Sequence, residues 1–132
     1  MVDALRRAHR WLRPAGVMLD VHPTASNAAV EVGDTIVGHV DAEDGPTRHA
    51  AAGKALEAAT AEGLFVVERA LDFDFFTYAD TADELRDHIA DNWCHARIDD
   101  ATIARARRAM RSAPGAKLRV REHVRGARLR RA

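Results

Sequence analysis

Asp20 and His22 are the two residues of this sequence best placed to move a proton. They stand at the end of the apolar run Val17-Met18-Leu19-Asp20-Val21, at the expected C-terminal end of a strand. In open α/β sheets that end lines the crevice where ligands bind. An imidazole titrates near neutrality, so His22 there could take a proton from a substrate as a general base. The plainer reading is that Asp20 caps the following loop and His22 is an ordinary surface residue.

Other residues carry chemistry of a weaker kind. Asp72, Asp74, Asp80, Asp83 and Asp87, with His88 and His95, are hard-ligand types, and His88 and Asp91 share helical spacing. No paired-His or Cys-His pattern joins them, so they read as a solvated acidic face and no metal is expected. Cys94 is next to His95 in sequence only, whereas a nucleophile and its base must touch in space. The thiol is expected in the core or partly buried. Phe73, Phe75, Phe76, Tyr78 and Trp93 hold most of the aromatic content. They form either an apolar substrate wall, with Phe76, Tyr78 and Trp93 as its binding residues, or plain core. The arginines between Lys117 and Arg131 could track phosphates, but no aromatic residues interleave with them. Pairing with the acidic middle of the chain is the expected role, and nucleic acid is not an expected partner.

The elements that would position these residues follow from periodicity. Val2, Leu5, Ala8, His9 and Leu12 recur at helical spacing, which predicts a helix from Val2 to Trp11 stopped by Pro14 and Gly16. The run from Val17 to Val21 reads as a strand buried on both faces, as in a parallel sheet. Pro23 to Asn27 is a loop. Val30-Glu31-Val32 and Thr35-Ile36-Val37 flank Gly33-Asp34, which predicts a hairpin with Gly supplying positive φ. Asp41 to Thr47 reads as an acidic loop. The Ala-rich stretch from Arg48 to Glu62 is helical and ends at Gly63. Leu64 to Tyr78 is a long strand, with Phe65, Val67, Leu71, Phe73 and Phe75 mostly on one parity. Asp80 or Thr81 caps a helix through Trp93, with Glu84 three residues after Thr81 as a capping box. Asp99 or Asp100 caps a further helix, from Ala101 to Ser112, ended by Pro114-Gly115. Lys117 to Leu129 is a half-buried strand in which Leu118, Val120 and Val124 alternate with basic residues.

The stretch Ala4-Leu5-Arg6-Arg7-Ala8-His9-Arg10-Trp11-Leu12-Arg13-Pro14-Ala15-Gly16-Val17-Met18-Leu19-Asp20 resembles a segment of small-molecule class I S-adenosylmethionine-dependent methyltransferases. In that family a helix ending in Leu-Arg-Pro-Gly-Gly leads into the fifth strand of a Rossmann-like sheet. This sequence departs at Ala15. The resemblance covers nearly the whole chain by element order, because the family continues with a helix, a strand, further helices and a final strand. Its last two strands pair antiparallel; Leu64 to Tyr78 and Lys117 to Leu129 would be those strands. The Gly33-Asp34 hairpin would be an insertion. The implied fold class is α/β: a partial Rossmann-like mixed sheet with a β-hairpin insertion and helices packed on it. His22 would then be the candidate base for a small-molecule methyl acceptor, with Asp20 beside it.

Family members hold the cofactor with a glycine-rich loop after the first strand and an acidic residue after the second. Here Gly33, Gly38, Gly45 and Gly53 are isolated. No cofactor-binding residue is carried over, and the resemblance implies that this chain alone binds none. S-adenosylmethionine would bind only after completion by an N-terminal half. Met1 stands where an internal residue of the family's helix would lie, so a truncated or natural half-protein is expected. A half-sheet also leaves an edge open where a fourth strand would sit, which predicts a homodimer or a complementing N-terminal half. The rival readings are a non-catalytic interaction or ligand-binding module and, more weakly, nucleic-acid binding through the arginine-rich last strand.

Size and composition bound these readings. The chain has 132 residues and fits a single small domain over 1–132. Hydrophobic residues make up 47%, which argues against disorder, and no run could span a bilayer. The N-terminal residues show no secretory pattern, and the single Cys94 excludes an internal disulfide. A cytoplasmic location is the expectation. Charge is unevenly spread: residues 31–100 carry five basic residues against seventeen acidic ones, and residues 101–132 carry eleven basic residues against Glu122 alone.

Overall fold

A computed structural model describes residues 2–132. The chain is α/β, with four helices and seven strands among the described residues. In order these are α1 (Val2–Trp11), β1 (Val17–Pro23), β2 (Ala29–Val32), β3 (Thr35–His39), β4 (Asp41–Ala42), α2 (Gly45–Ala61), β5 (Phe65–Ala79), α3 (Ala82–Asn92), β6 (Ala96–Arg97), α4 (Asp100–Ser112) and β7 (Leu118–Arg131). The residues group into two compact units, each drawn from separate stretches of chain.

Among the described residues the first unit comprises 2–25, 46–73 and 123–132. Within it β1 pairs antiparallel with β7, from Val17 opposite Arg130 to Pro23 opposite Val124. The same part of β7 runs antiparallel to β5: Ala132 N donates to Leu64 O at 3.1 Å, and Arg130 and Arg125 reach Glu68 and Asp72 in turn. Leu5, Ala55, Ala59, Phe65, Ala127 and Leu129 form the buried cluster, with Leu12, Met18 and Leu56 packed against it. The turn from α1 into β1 places Ala15 at φ 59°, a left-handed backbone in which a side chain is uncommon. α2 begins earlier than the pattern predicted. Gly45-Pro46 does not lie in a loop but opens the helix, where the fixed φ of proline is already helical.

The second unit comprises residues 26–45 and 74–122. The β2–β3 hairpin turns at Gly33, whose φ of 58° requires glycine or a strained residue. β2 pairs antiparallel with the first half of β7, Ala29 opposite Arg121 and Val32 opposite Leu118. α4 packs on the hairpin at Gly38, where any Cβ would collide with the Thr102 side chain. Of the alternative caps, Thr81 caps α3 and Asp99 caps α4, while the Glu84 carboxylate accepts from Asp80 N rather than closing the box on Thr81. Glu84 N donates to Thr81 Oγ1 at 3.1 Å, and Thr102 N donates to Asp99 Oδ1 at 2.7 Å. Val30, Leu85, Ile89, Ile103, Leu118 and Val120 lie at the centre of this unit's core.

Three expectations are corrected. β1 is not buried on both faces and has no parallel neighbour among the described residues; Val17, Leu19 and Val21 are exposed, Leu19 by 72%. Every strand pair whose register is defined is antiparallel. Of the two alternatives for the aromatics of β5, plain core does not hold for Phe73 and Phe75, which are exposed like Val67 and Leu71 on the same parity; of the odd-numbered residues of β5 only Phe65 is buried. Alternation identifies which side chains share a face, but it carries no information on whether anything covers that face. Finally, Cys94 is an exposed thiol in the turn after α3, beside His95 in a left-handed backbone at φ 50°.

Candidate functional site

In the first unit, even-numbered residues of β1 share one face, because side chains alternate along a strand. Met18 joins the buried cluster, and Asp20 and His22 follow it on that face, both half-buried. His22 Nδ1 lies 2.7 Å from Asp20 Oδ2, with side-chain exposures of 13% and 21%. A carboxylate only accepts, so Nδ1 carries the proton and donates it. The neutral ring then presents Nε2 as its acceptor. This is the orientation a general base needs, with the carboxylate fixing the tautomer.

A second imidazole stands close by, and sequence reasoning missed it. His49 projects from the second turn of α2, and its Nδ1 donates to the Thr24 carbonyl at 3.0 Å. Thr24 N in turn donates to His123 O at 2.8 Å, so the chain just beyond His22 is tied to both α2 and β7. Burial lowers the His49 pKa from its ordinary value, opposed by the Thr24 carbonyl bond and reinforced by the charges of Arg48 and His22. His49 therefore favours the neutral form, with Nε2 as its acceptor. No spacing in the sequence connects residue 49 with residue 22. Only the return of α2 beside the end of β1 brings them together.

Of the predicted aromatic residues, Phe75, Phe76, Tyr78 and Trp93 belong to the second unit. Phe76 is half-buried beneath the Arg119 guanidinium, whose carbon stands 4.4 Å from the ring centroid. Tyr78 is exposed and tilts against Phe76 with centroids 6.1 Å apart. Trp93 packs on that unit's core. These three side chains thus already have partners within their own unit. Phe73 belongs to the first unit, where it lines an apolar groove of about 320 Å³ with Leu19, Val21 and Leu71.

The charged residues are largely occupied with each other. Glu31, 2% exposed, receives Arg119 Nε at 2.9 Å and lies 2.6 Å from Arg121 Nε. Arg125 forks onto Asp72 with bonds of 2.8 and 3.0 Å. Arg128 and Arg130 share Glu68, and Arg131 Nη1 donates to the Leu12 carbonyl. Asp83 takes Arg86 and Arg107. Among the described residues no group of three or more His, Cys, Asp or Glu side chains is arranged to hold a metal ion. No helix among them is long and apolar enough to cross a membrane.

Comparison of the chain with protein-family models, with curated proteins and with solved structures finds no match.

The glycines bear on whether an adenosyl cofactor fits here. A cradle for it needs clustered glycines between a strand and a helix, so that backbone N–H groups approach closely. Gly33, Gly63 and Gly115 take positive φ at a hairpin turn and after helices, while Gly38 and Gly126 face Thr102 and Phe73. The described residues do not form such a cradle.

Proposed function

We propose that this chain is the acceptor-side half of a class I methyltransferase and is not catalytically competent alone. The Asp20–His22 pair would be its general base. The observation that carries the reading is the 2.7 Å bond from His22 Nδ1 to Asp20, at the C-terminal end of the strand that follows the Leu-Arg-Pro-Ala-Gly turn. Two further features support it. β5 and β7 pair antiparallel, as the last two strands of the resembled family do, and the elements follow one another in the order the resemblance implies. The chemistry of this half is proton removal. A hydroxyl or amine of a small acceptor would donate to His22 Nε2, and the positive charge gained by the ring would be balanced by Asp20. His49, neutral at Nε2, would accept a second hydrogen bond from the same acceptor and help to orient it. The methyl donor would be held by residues outside this chain, a reading supported by the scattered glycines of the described residues.

The test begins with the native protein from its source cells. Intact mass and equilibrium dialysis with S-adenosylmethionine are measured on it and, separately, on the 132-residue chain. The expected result is cofactor binding by a native species heavier than 14.5 kDa or by a complex, and none by the chain alone. Replacing His22 by alanine in the native species should lower methyl transfer by about 10²–10⁴-fold, the usual contribution of a general base. A native species of 14.5 kDa that binds no cofactor, with or without co-purifying proteins, would overturn the reading.

A further inference from the structure

β1 has β7 as its single strand partner among the described residues, so one edge of β1 is open. The bonds at its two ends fix which backbone groups face that edge. Gly16 O accepts from Arg131 N and Thr24 N donates to His123 O, both at 2.8 Å. Even-numbered residues therefore bond to β7. In an antiparallel ladder the alternate residues turn their N–H and C=O the other way. Val17, Leu19 and Val21 accordingly present three N–H and three C=O groups to the open edge. Their side chains are all apolar and exposed, by 40%, 72% and 61%. No charged side chain guards this run, since Asp20 lies on the opposite face and bonds to His22.

We infer that this edge pairs with the same edge of a second copy of the chain, antiparallel and centred on Leu19. This edge admits three two-fold registers. Centred on Asp20, the two Asp20 carboxylates oppose each other, and Pro23, which has no N–H, must stand opposite Val17. Centred on Val21, Pro23 stands opposite Leu19 and leaves its carbonyl without a donor. Centred on Leu19, Val17 meets Val21 of the second copy and Leu19 meets Leu19. Every open N–H and C=O is then satisfied, and Val17, Leu19 and Val21 of the two copies form one apolar ladder. The contact is isologous and closes at two chains. It does not depend on the methyl-transfer reading. A completing half that used the same edge would displace the second copy.

Sedimentation velocity across a concentration series tests the association. The expected outcome is a shift from 14.5 kDa to twice that mass as concentration rises. Leu19→Lys brings two ammonium groups together on the axis, and Val21→Pro deletes an N–H that β7 does not use. Both variants should stay at 14.5 kDa with unchanged circular dichroism. Oxidative crosslinking tests the register on a Cys94→Ser background. Leu19→Cys should form a disulfide with its copy, since paired Cα atoms on the axis are about 5.5 Å apart. Val17→Cys should not, with its copy roughly 14 Å away along the ladder. A wild-type chain that remains monomeric at high concentration would overturn the proposal, as would dimers that survive both edge variants. Crosslinking at Val17 in place of Leu19 would overturn the register.

Discussion

His49 shows at the scale of one residue how a fold sets a protonation state. Its pKa is lowered from 6.5, first by burial. Above that value both folded and unfolded chains hold the neutral ring, so His49 adds no pH dependence. As pH falls through 6.5 the unfolded chain binds a proton that the folded chain binds less readily, and stability is lost until the folded pKa is passed. The thermal midpoint should therefore drop on acidification from about pH 7.5 to about pH 5.5, and less steeply in His49→Asn. An unchanged slope in that variant would show that His49 is not the group responsible. Glu122 has the opposite sign problem. Burial raises its pKa from 4.5, so the folded state is penalised as pH rises through that value and the carboxylate must ionise. Glu122→Gln should raise the unfolding midpoint at neutral pH and leave it nearly unchanged at about pH 4, measured by differential scanning calorimetry. Glu31 is a third case. It is nearly fully buried between Arg119 and Arg121, and Glu31→Leu would remove their shared carboxylate, leaving Arg119 with Phe76 and Asp34 and Arg121 with Asp74. A loss of about 3 kcal/mol is expected in urea unfolding, toward the lower end for a buried pair because both arginines keep some contact with water.

At the scale of elements, local chemistry was legible and coverage was not. Thr81 with Glu84, Asp99, Gly33-Asp34 and Gly63 each act on their immediate neighbours, and each ends or begins its element as the sequence implies. The bounds of α1, α3 and α4 follow directly from such signals. The burial of β1 was misjudged, and that of Phe73 and Phe75 was not decided, because an apolar strand face has the same pattern whether a helix covers it or water does. Of the candidate site, Asp20 and His22 were legible because they are neighbours on one strand. His49 was not, because α2 reaches it only through the tertiary fold. The packing of α4 on the hairpin belongs to this scale as well. Gly38→Ala would force a methyl group into Thr102 Oγ1 and Cγ2, and it should cost about 1–3 kcal/mol. Thr102→Ala in the same chain should recover part of that loss; full additivity of the two substitutions in chemical denaturation would show that the contact is not the cause.

At the scale of the whole molecule, charge is segregated in sequence and mixed in space. The arginines of β7 meet carboxylates of β2 and β5: Glu31, Glu68 and Asp72. With these partners in place, affinity for DNA or RNA should be weak and its logarithm should vary little with salt concentration. Fluorescence anisotropy with single- and double-stranded oligonucleotides measures that slope, and a steep one would restore the nucleic-acid reading. The dependence of the sheet on β7 reaches further, into how the chain is made. β1, β2 and β5 all take β7 as a partner, and β7 is the last of the seven strands. During synthesis the ribosome releases the three earlier strands before the strand that joins them exists. Until then β1 and β5 lack a strand partner and β2 has only β3, so the nascent chain carries open ladders that can pair with the wrong strand.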